Sequence, residues 1–253
     1  MKPSNPNFWT RVNGQLVLRN LEREEAVYRN NIFPAWTNKQ IDEAIVIYYE
    51  VYDCHSANYI NDSIYQISGC FLKPGDHVLD LGANIGIFTR WASDAGAEKI
   101  YSFEPVQQNF QLLALNRPDN CEAHRIAITN SDCQNIQIGY KDDCPGGSSF
   151  VKPDDGVLQT VMGMSLDTLL EKGIIEKIDF MKMDIEGAEI YAFEGISDEN
   201  LQNIRCIAME MHVAAIGKEE ELKIYNRMTR LGFRNFTIFN PDSNNIVYFW
   251  KEQ

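Results

Sequence analysis

Downstream of the turn Lys73-Pro74-Gly75-Asp76, the apolar positions follow two alternating patterns. Short, nearly continuous runs read as buried strands at 77–81, 99–104, 122–127, 178–184 and 205–212. Between them, apolar residues recur at three- and four-residue intervals, which predicts helices over 85–95, 106–116, 188–195 and 218–231. Continuous apolar runs suit strands covered on both faces, and regular strand–helix alternation builds a parallel sheet with right-handed crossovers. The tail changes character. Phe233–Phe239 and Ile246–Trp250 are strand-like, and the turn formers Asn240-Pro241-Asp242-Ser243-Asn244-Asn245 link them, so an antiparallel pair closing the sheet edge is expected. Over 128–164 the pattern loosens: Asn135–Tyr140 and Val157–Met162 read as short strands, and 142–149 reads as an exposed loop.

The N-terminal part is different again. Residues 1–36 carry no clear period, although Phe8, Trp9, Phe33 and Trp36 offer apolar anchors. Thr37-Asn38-Lys39-Gln40 reads as a capping box that opens a helix running to Tyr52, and a second helix is expected over Ile60–Ser68. Tyr48, Tyr49, Tyr52, Tyr59 and Tyr65 crowd this region, either as packing contacts or as the wall of a substrate site. The expected division is a mainly helical extension over 1–70, a possible substrate lid, and one α/β domain over 71–253.

Composition narrows the partners. A chain of 253 residues with a formal net charge of −13 lacks the basic surface that phosphate tracking or docking on an anionic membrane requires. Cys54, Cys70, Cys121, Cys133, Cys144 and Cys206 form no Cys-x-x-Cys pair, so zinc spacing is absent and reduced thiols are expected. No apolar leader or membrane-length run is visible, which points to a cytoplasmic setting.

The chemistry concentrates at strand ends. In Val78-Leu79-Asp80-Leu81-Gly82-Ala83-Asn84-Ile85-Gly86 an apolar run ends in an acid and breaks into a glycine-spaced turn that opens a helix. In open α/β sheets, ligands bind at this kind of junction. The spacing is not the Gly-x-Gly-x-x-Gly of a dinucleotide binder, and an acid here suits an ammonium- or sulfonium-bearing ligand. Glu104, in Phe103-Glu104-Pro105, ends the next strand, where an acid accepts hydrogen bonds from ribose hydroxyls. Each feature also has a plain structural meaning, as a tight turn or a helix-terminal charge.

A second group lies in Asp179-Phe180-Met181-Lys182-Met183-Asp184-Ile185-Glu186-Gly187-Ala188-Glu189. Period 2 puts Phe180, Lys182 and Asp184 on one face, so Asp184 is the expected partner of a lysine that a central strand cannot leave unpaired. That pair is either a structural ion pair or part of an active site. Glu189 reads as a first-turn charge. In Met209-Glu210-Met211-His212, Glu210 and His212 share a face at another strand end. If the two strands are neighbours, Asp184 and His212 sit close together. Either could then serve as general base, with Lys182 beside them, and Asp184, Glu210 and His212 could hold a metal such as Mg²⁺.

Asp80-Leu81-Gly82-Ala83-Asn84-Ile85-Gly86, Phe103-Glu104-Pro105, Ser165-Leu166-Asp167 and Lys182-Met183-Asp184-Ile185-Glu186-Gly187-Ala188-Glu189 together resemble the FkbM-type S-adenosylmethionine-dependent methyltransferases. The resemblance covers about residues 72–215. It implies a Rossmann-like, seven-stranded class I methyltransferase sheet, mostly parallel with its last strands antiparallel. It implies that Asp80, Gly82, Asn84 and Gly86 hold the methionine part of the cofactor, that Glu104 takes the ribose, and that His124–Ala127, including Ala127, flanks the adenine. Family members typically methylate sugar or polyketide hydroxyls, so a small-molecule or glycan acceptor is expected.

Three alternatives stand beside this reading. A nucleic-acid 2′-O-methyltransferase is faintly echoed by Lys182 and Asp184 but opposed by the acidic charge. A nicotinamide oxidoreductase lacks its glycine fingerprint. A non-catalytic S-adenosylmethionine-binding protein would bind the cofactor without turnover.

Overall fold

The computed structural model describes residues 7–12, 15–20, 63–141, 144–149, 157–238 and 245–251. Its strands are β1 (Asn7–Val12), β2 (Gln15–Asn20), β3 (His77–Leu81), β4 (Lys99–Phe103), β5 (Cys121–His124), β6 (Ile126–Ile128), β7 (Cys133–Lys141), β8 (Cys144–Ser149), β9 (Val157–Met164), β10 (Phe180–Met183), β11 (Cys206–Met211), β12 (Arg234–Ile238) and β13 (Asn245–Trp250). The described helices are α1 (Ile87–Asp94), α2 (Gln107–Asn116), α3 (Leu166–Glu171), α4 (Glu189–Glu194), α5 (Asp198–Asn203), α6 (Val213–Ile216) and α7 (Lys218–Arg230).

Seven strands form the main sheet in the order β12-β13-β11-β10-β3-β4-β5. β11, β10, β3, β4 and β5 run parallel, while β13 is antiparallel to both β11 and β12. The tail pair therefore does more than cap an edge: β13 inserts between β11 and β12. Among the described residues, no helix is long and apolar enough to cross a membrane.

The central strands are buried on both faces, and their side chains alternate between two cores. Val78, Phe180, Cys206 and Tyr248 face one core with Phe88 and Trp91 of α1. Leu79, Leu81, Met181, Met183, Ile207 and Met209 face the other with Leu169, Phe193, Leu201 and Met228 from the helices on that side. This two-sided cover explains why β3 and β10 read as nearly unbroken apolar runs. The carboxyl ends of β3, β4, β10 and β11 form a polar rim that these strands share.

Several expectations are corrected. The strand expected over 122–127 breaks at Arg125. β5 stays in the main sheet, and β6 leaves it to pair with β9 in a second sheet of order β6-β9-β7-β8. The Arg125 guanidinium anchors the break by donating to the Thr160 carbonyl at 3.1 Å and to the Gln107 side chain. The loop expected over 142–149 contains β8, whose backbone pairs with β7. β8 is an edge strand, which is where Pro145 is tolerated. The expected Ile60–Ser68 helix is absent over 63–68. There the Tyr65 amide donates to Ser63 Oγ at 3.2 Å, and Ile67 bridges Cys70 across a turn. The Thr37–Tyr52 helix and the 240–244 part of the tail link lie outside the described residues. Residues 7–12 and 15–20, which carry no clear period, form the antiparallel β1–β2 pair.

Helices α3 and α5 open on Ser165 and Ser197, whose hydroxyls accept from the Thr168 and Asn200 amides. Asp167 then locks α3 to α5: its carboxylate accepts from the Ser197 amide at 2.9 Å and from the Asn200 side chain at 2.8 Å. The Ser165-Leu166-Asp167 motif is thus a packing device in the fold.

Gly82 shows how tightly the strand ends meet. Its φ is +73°, and a Cβ built on it would lie 1.7 Å from the Asp184 carbonyl oxygen. Gly75 has φ +88° but nothing within 4 Å of such a Cβ. In urea melts, Gly75→Ala should lose only the left-handed strain, about 1–2 kcal/mol. Gly82→Ala should lose more than about 3 kcal/mol, because backbone must shift as well. Equal losses at the two positions would show that the β3 and β10 loops do not meet as described.

Candidate active site

The register of the main sheet builds the site's floor. Asp80 on β3 stands opposite Lys182 on β10 and opposite Ser102 on β4. All three side chains are buried, and Asp80 is completely sealed. Asp80 Oδ2 accepts from Thr89 Oγ1 at 2.7 Å, and Thr89 Oγ1 lies 2.8 Å from Ser102 Oγ. Lys182 Nζ lies 3.4 Å from Asp80 Oδ1 and 3.8 Å from Asp184 Oδ2. It donates to the carbonyl of Gly82 at 2.8 Å and to that of Leu81 at 3.3 Å. The lysine that period 2 paired with Asp184 therefore serves two acids and two carbonyls, and the register-opposed acid is the nearer.

Burial presses the Lys182 ammonium toward neutrality, but the charges of Asp80 and Asp184 outweigh it and hold its pKa above the ordinary lysine value. Burial drives Asp80 the other way, above the usual carboxylate range, against the pull of Lys182 and Thr89. Both shifts are upward, so one favours the charge and the other opposes it, and the ionised pair is the state consistent with the geometry: an ammonium braced by two carbonyls and two acids has no reason to lose its proton.

Above this floor lies the turn 82–86. Gly82 and Ala83 amides both donate to the Phe103 carbonyl at 3.0 Å, which pins the turn to the end of β4. Asn84 adopts φ +50°, and its amide donates to Glu104 Oε2 at 2.9 Å. Glu104 Oε1 accepts from the Val106 amide at 2.9 Å. Glu104 thus joins the first turn to the second. Burial pushes its pKa up to about 7, although both amides and the more distant Lys182 favour the charge. Asn84 Oδ1 is buried with no hydrogen-bond partner among the described residues. Gly86, at φ +91°, caps α1, and a Cβ there would press on Leu113. Ala127 is buried on β6, packed with Val106, Ile138 and Val161. His124 ends β5 with its ring stacked on Phe103 at 5.1 Å, and burial lowers its pKa.

The third part lies at the ends of β10 and β11, which are neighbours as expected. Glu186 adopts φ +53°; it and Asn84 are the non-glycine residues with positive φ among those described. Such strain of about 1–3 kcal/mol persists where the surroundings over-determine the backbone, and it clusters at functional sites. His212 Nδ1 lies 2.8 Å from Glu189 Oε1, and Nε2 lies 3.3 Å from Glu186 Oε2. Glu189 is fully buried, and its Oε1 also accepts from the Gly187 amide. Burial opposes the imidazolium, but the two glutamates overcome it and raise the His212 pKa to about 11. In the protonated ring both nitrogens would donate to these carboxylates. Contact with both carboxylates favours the protonated ring and leaves Asp184 as the less encumbered candidate base.

Asp184, Glu210 and His212 come together, each offering a ligand atom within 4.8 Å of the others. Pattern reading did not single out Tyr65 beyond its tyrosine-rich neighbourhood. Its hydroxyl donates to Asp184 Oδ2 at 3.3 Å, and its ring lies 5.6 Å from Lys182 Nζ. Glu186 was visible only as a member of the motif and Glu189 only as a first-turn charge, because their shared partner His212 lies on another strand. The strand-end Lys182 and the paired strand-end acids were the readable signal.

Known proteins bear out the resemblance. The methyltransferase FkbM domain family matches residues 80–235. The 31-O-demethyl-FK506 methyltransferase FkbM of Streptomyces tacrolimicus is 26% identical over 204 residues, covering 67% of this chain and 75% of that protein. The hexuronic acid methyltransferase AglP of Haloferax volcanii is 25% identical over 164 residues, covering 62% of this chain and 66% of its own. In fold, the crystal structure of methyltransferase FkbM from Methylobacillus flagellatus superposes with a TM-score of 0.53 at 16% identity, over 90% of this chain; the chain spans 63% of that structure's length. The strand order, the braced glycine turn and the family match agree: this chain belongs to the FkbM methyltransferase family and has the class I methyltransferase fold.

Proposed function

We propose that the chain transfers a methyl group from S-adenosylmethionine to a hydroxyl of a sugar, glycan or other small molecule. The observation that carries this is the meeting of two differently built acids across one rim. Glu104 is braced by the backbone of the glycine turn, and Asp184 is held beside Lys182 at the neighbouring strand end. The cofactor fits what the residues leave open. Among the described residues Asn84 Oδ1 is a buried acceptor with no hydrogen-bond partner, and Glu104, held by the Asn84 and Val106 amides and the Asn109 side chain, is a carboxylate acceptor at the same turn. The ribose hydroxyls would donate to Glu104, while the turn through Gly82, Asn84 and Gly86 would line the methionine part. Asp80 is sealed, so its part is to hold Lys182 and the turn rather than to touch the ligand. Ala127 and His124 would border the base. S-adenosylmethionine supplies the electrophilic methyl group.

The chain's own residues then position and deprotonate. Bringing the acceptor oxygen to near-attack distance is the main contribution, worth up to about 7–11 kcal/mol in well-oriented reactions. Asp184 is the carboxylate placed to take the hydroxyl proton. Lys182 and Tyr65 orient it, and His212, locked between Glu186 and Glu189, shapes the loop that follows. Tyr65 comes from the stretch 1–70, which supports reading that stretch as a wall over the acceptor. The relatives add direction: one is named for 31-O-demethyl-FK506 and another for a hexuronic acid. With a net charge of −13, a small acceptor suits this chain better than a nucleic acid.

Two outcomes test the reading. Titration calorimetry with S-adenosylmethionine should show binding that strengthens as pH rises through about 7, because Glu104 must be ionised to accept from the ribose. Glu104→Gln should weaken binding by about tenfold or more, near 1.4 kcal/mol, and flatten that pH dependence. Unchanged affinity in the variant rules out the ribose role. In a turnover assay with labelled cofactor and a panel of glycans and hydroxylated small molecules, Asp184→Asn should lower kcat by about 100-fold or more while cofactor affinity changes little. A loss confined to cofactor binding would remove Asp184 from the chemistry.

A further inference from the structure

The corner formed by Asp184, Glu210 and His212 has features that an acid–base pair alone does not need. The three donors come from the ends of adjacent strands β10 and β11, and their ligand atoms lie within 4.8 Å of one another. One imidazole nitrogen is already taken. Glu189, fully buried at the start of α4, holds Nδ1 at 2.8 Å and so fixes which edge of the ring faces outward. The other nitrogen, Nε2, lies 3.3 Å from a carboxylate oxygen, Glu186 Oε2. A buried carboxylate that fixes one ring nitrogen while the other faces more carboxylates is the outer-shell pattern of a metal-ligating histidine. Among the described residues the second oxygen of Glu189 is buried without a hydrogen-bond partner, and its first oxygen is held by the ring contact and the Gly187 amide.

We propose that Asp184, Glu210 and His212 Nε2 form a divalent-cation site at the acceptor edge, and that it prefers Mn²⁺ to Mg²⁺. The preference follows from the donor set. Two carboxylates and one imidazole give a mixed oxygen–nitrogen site. Imidazole suits first-row transition metals, whereas Mg²⁺ is best served by oxygen and retained water. The cation takes the place of the Nε2 proton, and Glu186 gives up its contact with the ring. Three protein ligands leave coordination positions open for water or for an acceptor hydroxyl. A cation there would acidify the hydroxyl, and Asp184, bound through one oxygen, keeps its other for the departing proton. This deepens the methyl-transfer reading and rests on it for the acceptor's position, but the metal site stands or falls separately.

The test uses the purified chain with Mn²⁺ alone, without cofactor or acceptor. Calorimetry should show one saturable Mn²⁺ site with at least about tenfold weaker Mg²⁺ binding. Pulsed electron paramagnetic resonance of the Mn²⁺-bound wild type should show coupling to an imidazole nitrogen, a readout that needs no variant to fold. Glu210→Gln and His212→Gln, checked for native melting, should each weaken Mn²⁺ binding by about tenfold or more. Absence of saturable Mn²⁺ binding, bound Mn²⁺ without nitrogen coupling, or undiminished binding in both variants would overturn the site. Mg²⁺ binding as tight as Mn²⁺ would overturn the preference. None of these outcomes bears on whether the chain binds S-adenosylmethionine or transfers methyl groups.

Discussion

Lys182 is the point on which the polar rim depends. A buried ion carries a desolvation penalty of several kcal/mol, and only good geometry with further hydrogen bonds offsets it. Here the offset comes from four directions: Asp80, Asp184 and the carbonyls of Leu81 and Gly82. The first turn residue after β3 and the acid after β10 therefore share one ammonium. Their distance is set in the interior rather than by flexible loops. Gly82 is the backbone expression of the same constraint, since the two chain segments approach too closely for any side chain there. Truncating Lys182 would leave two acids facing a void, which is why its aliphatic burial alone does not describe its role.

The rim that results holds acids in three different settings. Glu104 is buried among amides, and that burial raises its pKa to about 7. Asp80 keeps its charge because Lys182 is opposite it in register. Glu189 is wholly interior and is matched to His212. The histidine illustrates how far environment overrides residue type. Burial alone would keep the imidazole neutral, but flanking glutamates lift its pKa to about 11. A residue chosen by chemistry as a base becomes a cation that organises the loop between β10 and α4.

Much of this was legible along the chain. The five parallel strands could be read because burial on both faces demands continuous apolar runs, and the helices on either side because one-sided burial imposes a 3.6-residue period. The paired strand-end acids and the out-of-place lysine marked the site, since a lysine in a central strand needs partners wherever they come from. The failures have a common source. Arg125 breaks a strand because Thr160 and Gln107, distant in sequence, are there to hold its guanidinium. Cys144–Ser149 is a strand because β7 offers a free edge. Over 63–68 a local serine contact and a tight bridge replace the expected helix.

By itself, then, the sequence determined the α/β class, the alternation of elements, the chemistry-bearing strand ends and the family resemblance, because all of these are written in local periodicity and motif spacing. Only the tertiary structure decided which acid pairs with Lys182, that Asp80 is sealed, that β13 slips between β11 and β12, and that His212 is clamped between Glu186 and Glu189. Those outcomes depend on register between strands far apart in the chain and on how much water reaches each group. Neither quantity has a local signature, and both set the charge on which the chemistry turns.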